Sequence, residues 1–334
     1  MNFGARSKEW NSEVYNRVSK PQFGWGQKVL ERLRLKGTET VLDAGCGTGK
    51  LTAELLASLP QGRVIAVDLS ENMLRSAREQ LEPEFGKQVV LFAVADVLDL
   101  PFHEEVDGIF STAAFHWVTD HERLFRSLYR ALRPGGWLEA QCGGGPNLGV
   151  LPERVAALMR SPDFSKYFAD WRPIWEFASP DTTAWRMKAA GFVEVDTGLE
   201  PTPVHFADAE EYREYVSHVI FHRHVERILE DKLRRKFVDE LTRLASEGRS
   251  AVRRRLLAPE SQRKTAPPVN PLGPCHHRST VQALLAHAIV DPGEVLLAAI
   301  LDRNLNTFRQ VVRVHFANGG IHRVKTRRGG FDHQ

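Results

Sequence analysis

A short apolar strand that runs straight into three alternate glycines and then a helix leaves this chain few folds. Thr40-Val41-Leu42-Asp43 is apolar and β-branched, and Ala44-Gly45-Cys46-Gly47-Thr48-Gly49 follows it at once. Residues 50–59 then place Leu51, Leu55, Leu56 and Leu59 at helical spacing, and Pro60 and Gly62 stop the run. Glycines between strand and helix permit a tight turn and let backbone approach a ligand closely. The adjoining helix N-terminus favours negative or electron-rich groups. The loop is not the phosphate loop of nucleotide hydrolases, which needs Gly-Lys-Ser/Thr after a longer spacing. It is also a poor dinucleotide fingerprint, since Lys50 stands where a further glycine would be required.

The pattern repeats downstream. Residues 63–68 form a second apolar run, and Ser70 is suited to cap a helix over 71–81. Residues 89–94, 107–110 and 137–141 read as further strands, with a helix over 122–132 closed by Arg133-Pro134-Gly135-Gly136. Strands alternating with helices of this length predict an α/β fold: a Rossmann-like, doubly wound and largely parallel sheet. Residues 143–146 break the pattern. An aromatic-rich stretch follows to about residue 180, then a helix over 183–190 and a sixth strand over 192–195. Residues 208–257 are helical in pattern and heavily charged, and they predict two or more helices forming a cap over the functional edge of the sheet. A solvated helical hairpin is the plainer alternative.

Composition suits a globular chain: of 334 residues, 42% are hydrophobic and 26% charged. Three cysteines (Cys46, Cys142, Cys275) cannot build a disulfide framework. With no apolar signal core at the start and no run long enough to span a bilayer, a reducing cytoplasm is the expected compartment. The net charge of +3 hides an asymmetry. Residues 259–334 hold ten Lys or Arg and five Asp or Glu, which leaves 35 basic and 37 acidic residues, net −2, elsewhere. The basic character belongs to the tail, and nucleic acid is disfavoured as a partner.

Three carboxylates then point to one crevice. Asp43 closes the first strand, where it can orient the loop or accept from a cationic ligand. Asp68 closes the second strand, 19 residues after Gly49, where a ribose diol could donate to it. Asp96 follows the third and could accept from the exocyclic amine of a purine. Each alone could be a turn or cap residue. Together they favour a nucleoside without phosphates, for which an amino group and a sulfonium beside the loop carboxylate are comfortable.

At this point the chain resembles the class I S-adenosylmethionine-dependent methyltransferases. Residues 41–49 are similar to their first motif, 67–74 to the second, and Ala95-Asp96-Val97 to the adenine-contacting segment. Residues 110–120, with His116-Trp117-Val118, resemble the fourth-strand motif, and residues 132–136 the turn before the fifth strand. The similarity covers about residues 14–206. Trp10, Asn11, Tyr15 and Phe115-His116-Trp117 bring the trans-aconitate methyltransferase-like group nearest in appearance. The resemblance implies S-adenosylmethionine as cofactor, held by Asp43, Gly45, Cys46, Gly47, Gly49, Asp68, Leu69, Met73, Asp96, Val97 and Ser111. It further implies Trp117 as a wall of the pocket, Gln22 at the methionine end, and the segment with Trp10 and Tyr15 folded over the cofactor. Read as a small buried residue, Cys46 is not a nucleophile. Members usually end on a strand that completes a seven-stranded sheet. Either residues 311–316 fill that role after an insertion, or the tail is a divergent or frame-shifted appendage and the strand is absent.

The expected organisation is an N-terminal helical segment over the cofactor (1–36), a methyltransferase core with an insertion at about 146–180 (37–206), a helical cap (207–257) and a divergent basic tail, partly disordered (258–334). Methyl transfer from a sulfonium needs alignment and desolvation rather than a metal. His116, after the fourth strand, is the candidate to orient or deprotonate the acceptor; a loop-packing histidine is the alternative. His218 and His222, four apart, would share a helix face. Cys275-His276-His277 is thin as a zinc motif. Arg213 or Arg223 could pair with an acidic substrate, or simply be solvated. The leading expectation is a methyltransferase on a small molecule, at a carboxylate oxygen of an organic acid, working as monomer or homodimer. Carbon methylation of a quinone precursor, O-methylation of a carrier-bound acyl group, an RNA-binding methyltransferase and a non-catalytic cofactor-binding protein are the alternatives.

Overall fold

The computed structural model describes residues 9–257 and 308–315. Its elements run α1 (Ser12–Val18), α2 (Lys20–Leu30), β1 (Thr40–Ala44), α3 (Lys50–Ala57), β2 (Arg63–Asp68), α4 (Glu71–Phe85), β3 (Val89–Val94), β4 (Val106–Thr112), α5 (His121–Ala131) and β5 (Leu132–Gly143). There follow α6 (Leu151–Met159), α7 (Pro180–Ala190), β6 (Val193–Pro201), α8 (Ala209–Tyr215), α9 (His222–Arg227), α10 (Asp231–Leu257) and β7 (Phe308–His315). The strands form one sheet in the order β3-β2-β1-β4-β5-β7-β6. β3 through β5 are parallel neighbours. β7 runs antiparallel between β5 and β6. A strand within the tail thus supplies the seventh position, at 308–315. The Cys275-His276-His277 motif and the basic residues beyond His315 lie outside the described residues.

Alternation along the central strands explains why both faces of the sheet are covered. On β1 and β2, Leu42, Ala44, Ile65 and Val67 enter a core with Leu124, Phe125 and Leu128 of α5. Their neighbours Val41, Val64 and Ala66 enter a second core with Leu55, Leu56, Leu74 and Leu81 of α3 and α4. α5 shows how the sequence sets this: Leu124, Leu128 and Ala131 are buried on one face, and Asp120 caps its start by accepting from the Arg123 N–H at 2.9 Å. β5 starts one residue after α5 ends, but its register breaks between Leu132 and Trp137. Gly135 in that break has φ +83°, a left-handed turn that favours glycine.

A third core belongs to the helices alone. Val18 of α1, Leu151 and Val155 of α6, Phe164 and Phe168 of the following turn, and Tyr212, Phe221, Phe237 and Leu241 of α8 to α10 share it. The aromatic stretch after β5 and the charged helices after β6 are therefore one packed layer. The helical region 208–257 is three helices, with a wide turn over Val216–Ile220 and a break at Phe221. This turn changes the helical phase, so His218 and His222 do not share a face: His218 is exposed and its Nδ1 meets the Glu214 carbonyl at 3.0 Å, while His222 is buried.

Candidate active site

In an open α/β sheet the ligand crevice lies beyond the strand C-termini, where the strand order reverses. Here that point is between β1 and β4. A cavity of about 360 Å³ opens there, within the usual range for small-molecule sites.

The glycine loop frames one end. Gly45 has φ +85°, and a Cβ on it would come within 2.5 Å of the Ala114 Cβ. Gly49 (φ +83°) starts α3 and packs against Ala77 and Leu81 of α4. Gly47 needs glycine for its backbone conformation (φ +55°) and not for space, since a Cβ there would meet nothing within 4 Å. Asp68 fixes the loop: its Oδ2 accepts from the Gly47 N–H and its Oδ1 from the Ser70 N–H, both at 2.9 Å. Burial raises the Asp68 pKa against these two bonds, so its ionised form is held at a cost.

Of the fourteen residues that the sequence assigned to cofactor contact or catalysis, nine line the cavity. Gly45, Asp68, Leu69 and Met73 come from the ends of β1 and β2 and the start of α4. Asp96 and Val97 follow β3, His116 and Trp117 follow β4, and Gln22 comes from α2. The structure turns five others away. Asp43 is 2% exposed and accepts from Thr52 Oγ1 at 2.7 Å, so it braces the loop from behind. Cys46 is packed in the α3–α4 core, with burial pushing its thiol pKa well up. Gly47 and Gly49 shape the loop without lining the space. Ser111 donates to the Ala44 carbonyl at 2.6 Å, which ties β4 to β1, and Thr112, Ala113 and Ala114 line the cavity in its place.

Asp43 carries a measurable signature. Burial, with the nearby Asp68 charge adding to it, pushes its pKa from 3.8 up to about 7 despite the Thr52 bond. The folded state therefore keeps a proton that the unfolded state loses near pH 4. The associated stability is full below the unfolded pKa and is lost as pH rises through about 7. Thermal unfolding at pH 5 and pH 8 checks this: Asp43→Asn is expected to reduce the loss of stability seen in the natural protein over that interval.

Sequence reasoning missed the clamp on this end. Glu9 accepts from Ser70 Oγ (2.9 Å) and from the Glu71 and Asn72 N–H groups (both 3.1 Å), capping α4 from outside. A carboxylate at a helix N-terminus meets unpaired N–H groups and the positive end of the helix dipole. Asn16 accepts from Thr48 Oγ1 at 2.6 Å, and its carbonyl accepts from Lys50 Nζ at 2.7 Å. These bonds hold Trp10 over the cavity, where it meets Trp117 and His222 at ring-centroid distances of 5.3 and 3.9 Å. No local sequence signal marks Glu9, because its partners lie about 60 residues away.

At the other end His116 is fixed by two bonds. Its Nδ1 accepts from the Gly143 N–H at 3.2 Å, and its carbonyl accepts from the Glu176 N–H at 2.9 Å. Burial pushes its pKa down to about 3, so the ring is neutral. With Nδ1 accepting, the proton sits on Nε2, and His116 is a hydrogen-bond donor whose basic lone pair is engaged.

The lining fits the implied cofactor. Gln22 Nε2 donates to the Tyr215 hydroxyl at 2.6 Å, which leaves Gln22 Oε1 buried without a partner and able to accept from an ammonium. Asp68 and Asp96 place carboxylates along the cavity, of the type that could accept from a ribose and an exocyclic amine. Among the described residues no group of three or more His, Cys, Asp or Glu is placed to hold a metal ion. Nor is any helix there long and apolar enough to cross a membrane.

Comparison with known proteins agrees with this geometry. A family profile described as a methyltransferase domain matches residues 41–136. The phosphoethanolamine N-methyltransferase 2 of Haemonchus contortus, solved with phosphomonomethylethanolamine and S-adenosylhomocysteine, shares the fold at a TM-score of 0.50 and 18% identity, over 92% of this chain and 57% of that one. The strand order, the glycine loop and the profile together define the class: the chain carries a class I S-adenosylmethionine-dependent methyltransferase domain. Within the class it resembles trans-aconitate 2-methyltransferases, with 39% identity to that of Azoarcus sp. over 132 residues, 40% of this chain and 50% of the relative. An uncharacterized methyltransferase of Schizosaccharomyces pombe is 27% identical over 190 residues, 55% of this chain and 70% of the relative. The chain thus spans about half the length of the trans-aconitate relatives it matches.

Proposed function

We propose that this protein transfers a methyl group from S-adenosylmethionine to a carboxylate oxygen of a small organic acid. The observation that carries the reading is Arg223. It lines the same cavity as Asp68 and Asp96 but comes from α9, and among the described residues it makes no ion pair within 4 Å and its buried Nε has no hydrogen-bond partner. Arg213, the other candidate, is already paired with Asp239. A desolvated guanidinium facing a cavity is suited to a carboxylate, which it can hold by two parallel bonds.

The residues divide the work. Asp68, Asp96 and Gln22 Oε1 hold the cofactor, and the Glu9 and Asn16 bonds keep Trp10 over the cavity, restricting water. A cofactor bound there would supply an electrophilic sulfonium methyl with a neutral thioether as leaving group, and a carboxylate acceptor would need no proton removed. Arg223 positions the acid, and the His116 Nε2–H can donate to the oxygen that does not react. A neutral His116 suits this role better than that of a base. This favours a carboxylate over a carbon acid, whose methylation needs a proton removed.

His116→Ala is expected to lower kcat about a hundredfold to a thousandfold, the range for loss of one positioned donor. His116→Gln is expected to recover part of it, because its amide can still donate. Incubation with radiolabelled S-adenosylmethionine and a panel of small acids, with counting of alkali-labile label, reads both. Label that is stable to alkali would point instead to carbon or ether methylation and defeat the proposal.

A further inference from the structure

The cavity is divided by charge. Its acids, Asp68 and Asp96, lie at the ends of β2 and β3, and Arg223 is its one full cation among the described lining residues. Glu226, exposed on the same helix as Arg223, is felt electrostatically but makes no ion pair with it. The wall beside Arg223 is made of rings. His116 meets Trp117 at 5.3 Å, Trp117 meets Trp175 at 5.9 Å, Trp175 stacks on Phe177 at 5.7 Å, and Phe177 stacks on His116 at 5.9 Å. The four rings close a circuit, and all four line the cavity. The circuit is anchored at both sides of Glu176: its N–H holds the His116 carbonyl, and its carboxylate pairs with Arg186 at 2.7 Å. The Arg223 guanidinium lies over Trp117, 5.5 Å from the ring centroid, so the cation is fixed at the border of the ring wall.

Such a site discriminates by charge count and shape. An acid with two or three carboxylates would match one of them to Arg223 and leave the others without a cation among the described lining residues. Burial of an unpaired charge is strongly unfavourable. A flat acid with one carboxylate has no such loss, and its face gains offset or edge contacts with the rings.

Resting on the carboxyl-methylation reading, we propose that the acceptor is a flat, largely apolar monocarboxylic acid, aryl or conjugated. Its ring packs on the wall of His116, Trp117, Trp175 and Phe177, and its carboxylate is recognised by Arg223. The specificity differs from that named for the trans-aconitate relatives, and Arg223 with the ring wall sets it.

The test compares benzoate, cinnamate and indole-3-acetate with trans-aconitate and citrate as acceptors of labelled methyl. In parallel, tryptophan fluorescence follows each acid titrated into protein saturated with S-adenosylhomocysteine. The best monoacid is expected to exceed both polyacids at least tenfold in kcat/KM and in affinity. Arg223→Gln is expected to weaken monoacid binding at least tenfold and to act mainly on KM, while S-adenosylhomocysteine affinity is unchanged. Arg223→Lys should keep part of the binding. Trp175→Leu, which stays apolar but removes the ring, should lower the preference for monoacids over polyacids. Preference for a polyacid, or monoacid binding indifferent to Arg223→Gln, overturns this inference and leaves carboxyl methylation standing. If S-adenosylhomocysteine binds but no acid of either kind is bound or methylated, the carboxyl-methylation reading fails, and this inference fails with it.

Discussion

Asp68→Ala is expected to weaken S-adenosylhomocysteine binding by about a hundredfold or more. The carboxylate has two duties. It would accept from the ribose, and it holds the Gly47 and Ser70 N–H groups that set the loop and the start of α4. Bonds to an ionised group contribute about 1.5–3 kcal/mol each, and their loss leaves backbone donors at the cavity unpaired. The fold should survive the change. Burial raises the Asp68 pKa, so its charge is a burden on the folded state that alanine removes, and Glu9 and Ser70 still cap α4. Calorimetry is expected to show the affinity loss in a variant that keeps the circular dichroism of the natural protein and still unfolds cooperatively, at a lower temperature because the two loop bonds are gone. Loss of the native circular dichroism would make Asp68 a structural residue instead.

Phe237→Ala should produce the largest stability change in the helical layer, about 3–5 kcal/mol. Phe237 is fully buried on α10 and meets Phe164 at 5.1 Å and Phe168 at 5.7 Å, both in the turn after α6. Those contacts join the segment after β5 to the helices after β6. Because the two segments share one core, the loss should appear in a single cooperative urea transition with a lower midpoint and an unchanged slope. Acid binding should suffer more than S-adenosylhomocysteine binding, since Arg223 belongs to this layer. Leu229→Ala, at a side chain 76% exposed, should cost less than about half a kcal/mol and serves as the comparison.

The glycine-loop end of the cavity was legible in the sequence because it is written locally. The Gly45 loop sits within a few residues of its strand, and Asp68 and Asp96 each end a strand whose alternation and length are plain. Parallel neighbours then bring those ends together without further information. The Arg223 end was not legible for the opposite reason. Arg213 and Arg223 look alike on charged helices, and only packing decides that Arg213 meets Asp239 while Arg223 faces the cavity. The aromatic stretch signalled burial, but not that Trp175 and Phe177 would close a circuit with His116 and Trp117. Asp43 and Ser111 were grouped with the ligand contacts by motif. Their side chains bond Thr52 and the Ala44 carbonyl instead, which residue type alone cannot distinguish. A strand over 311–316 was one of two readings of the tail; the strand found at 308–315 takes its place between β5 and β6 from pairings far apart in the chain.

The most direct measurement of carboxyl methylation is mass spectrometry of cinnamate after incubation with the protein and deuteromethyl-labelled S-adenosylmethionine. The expected product is a methyl ester carrying the label, destroyed by mild alkali and strongly reduced with Arg223→Gln. Label found on carbon or an ether oxygen, or on no acid at all while S-adenosylhomocysteine binds, would contradict it.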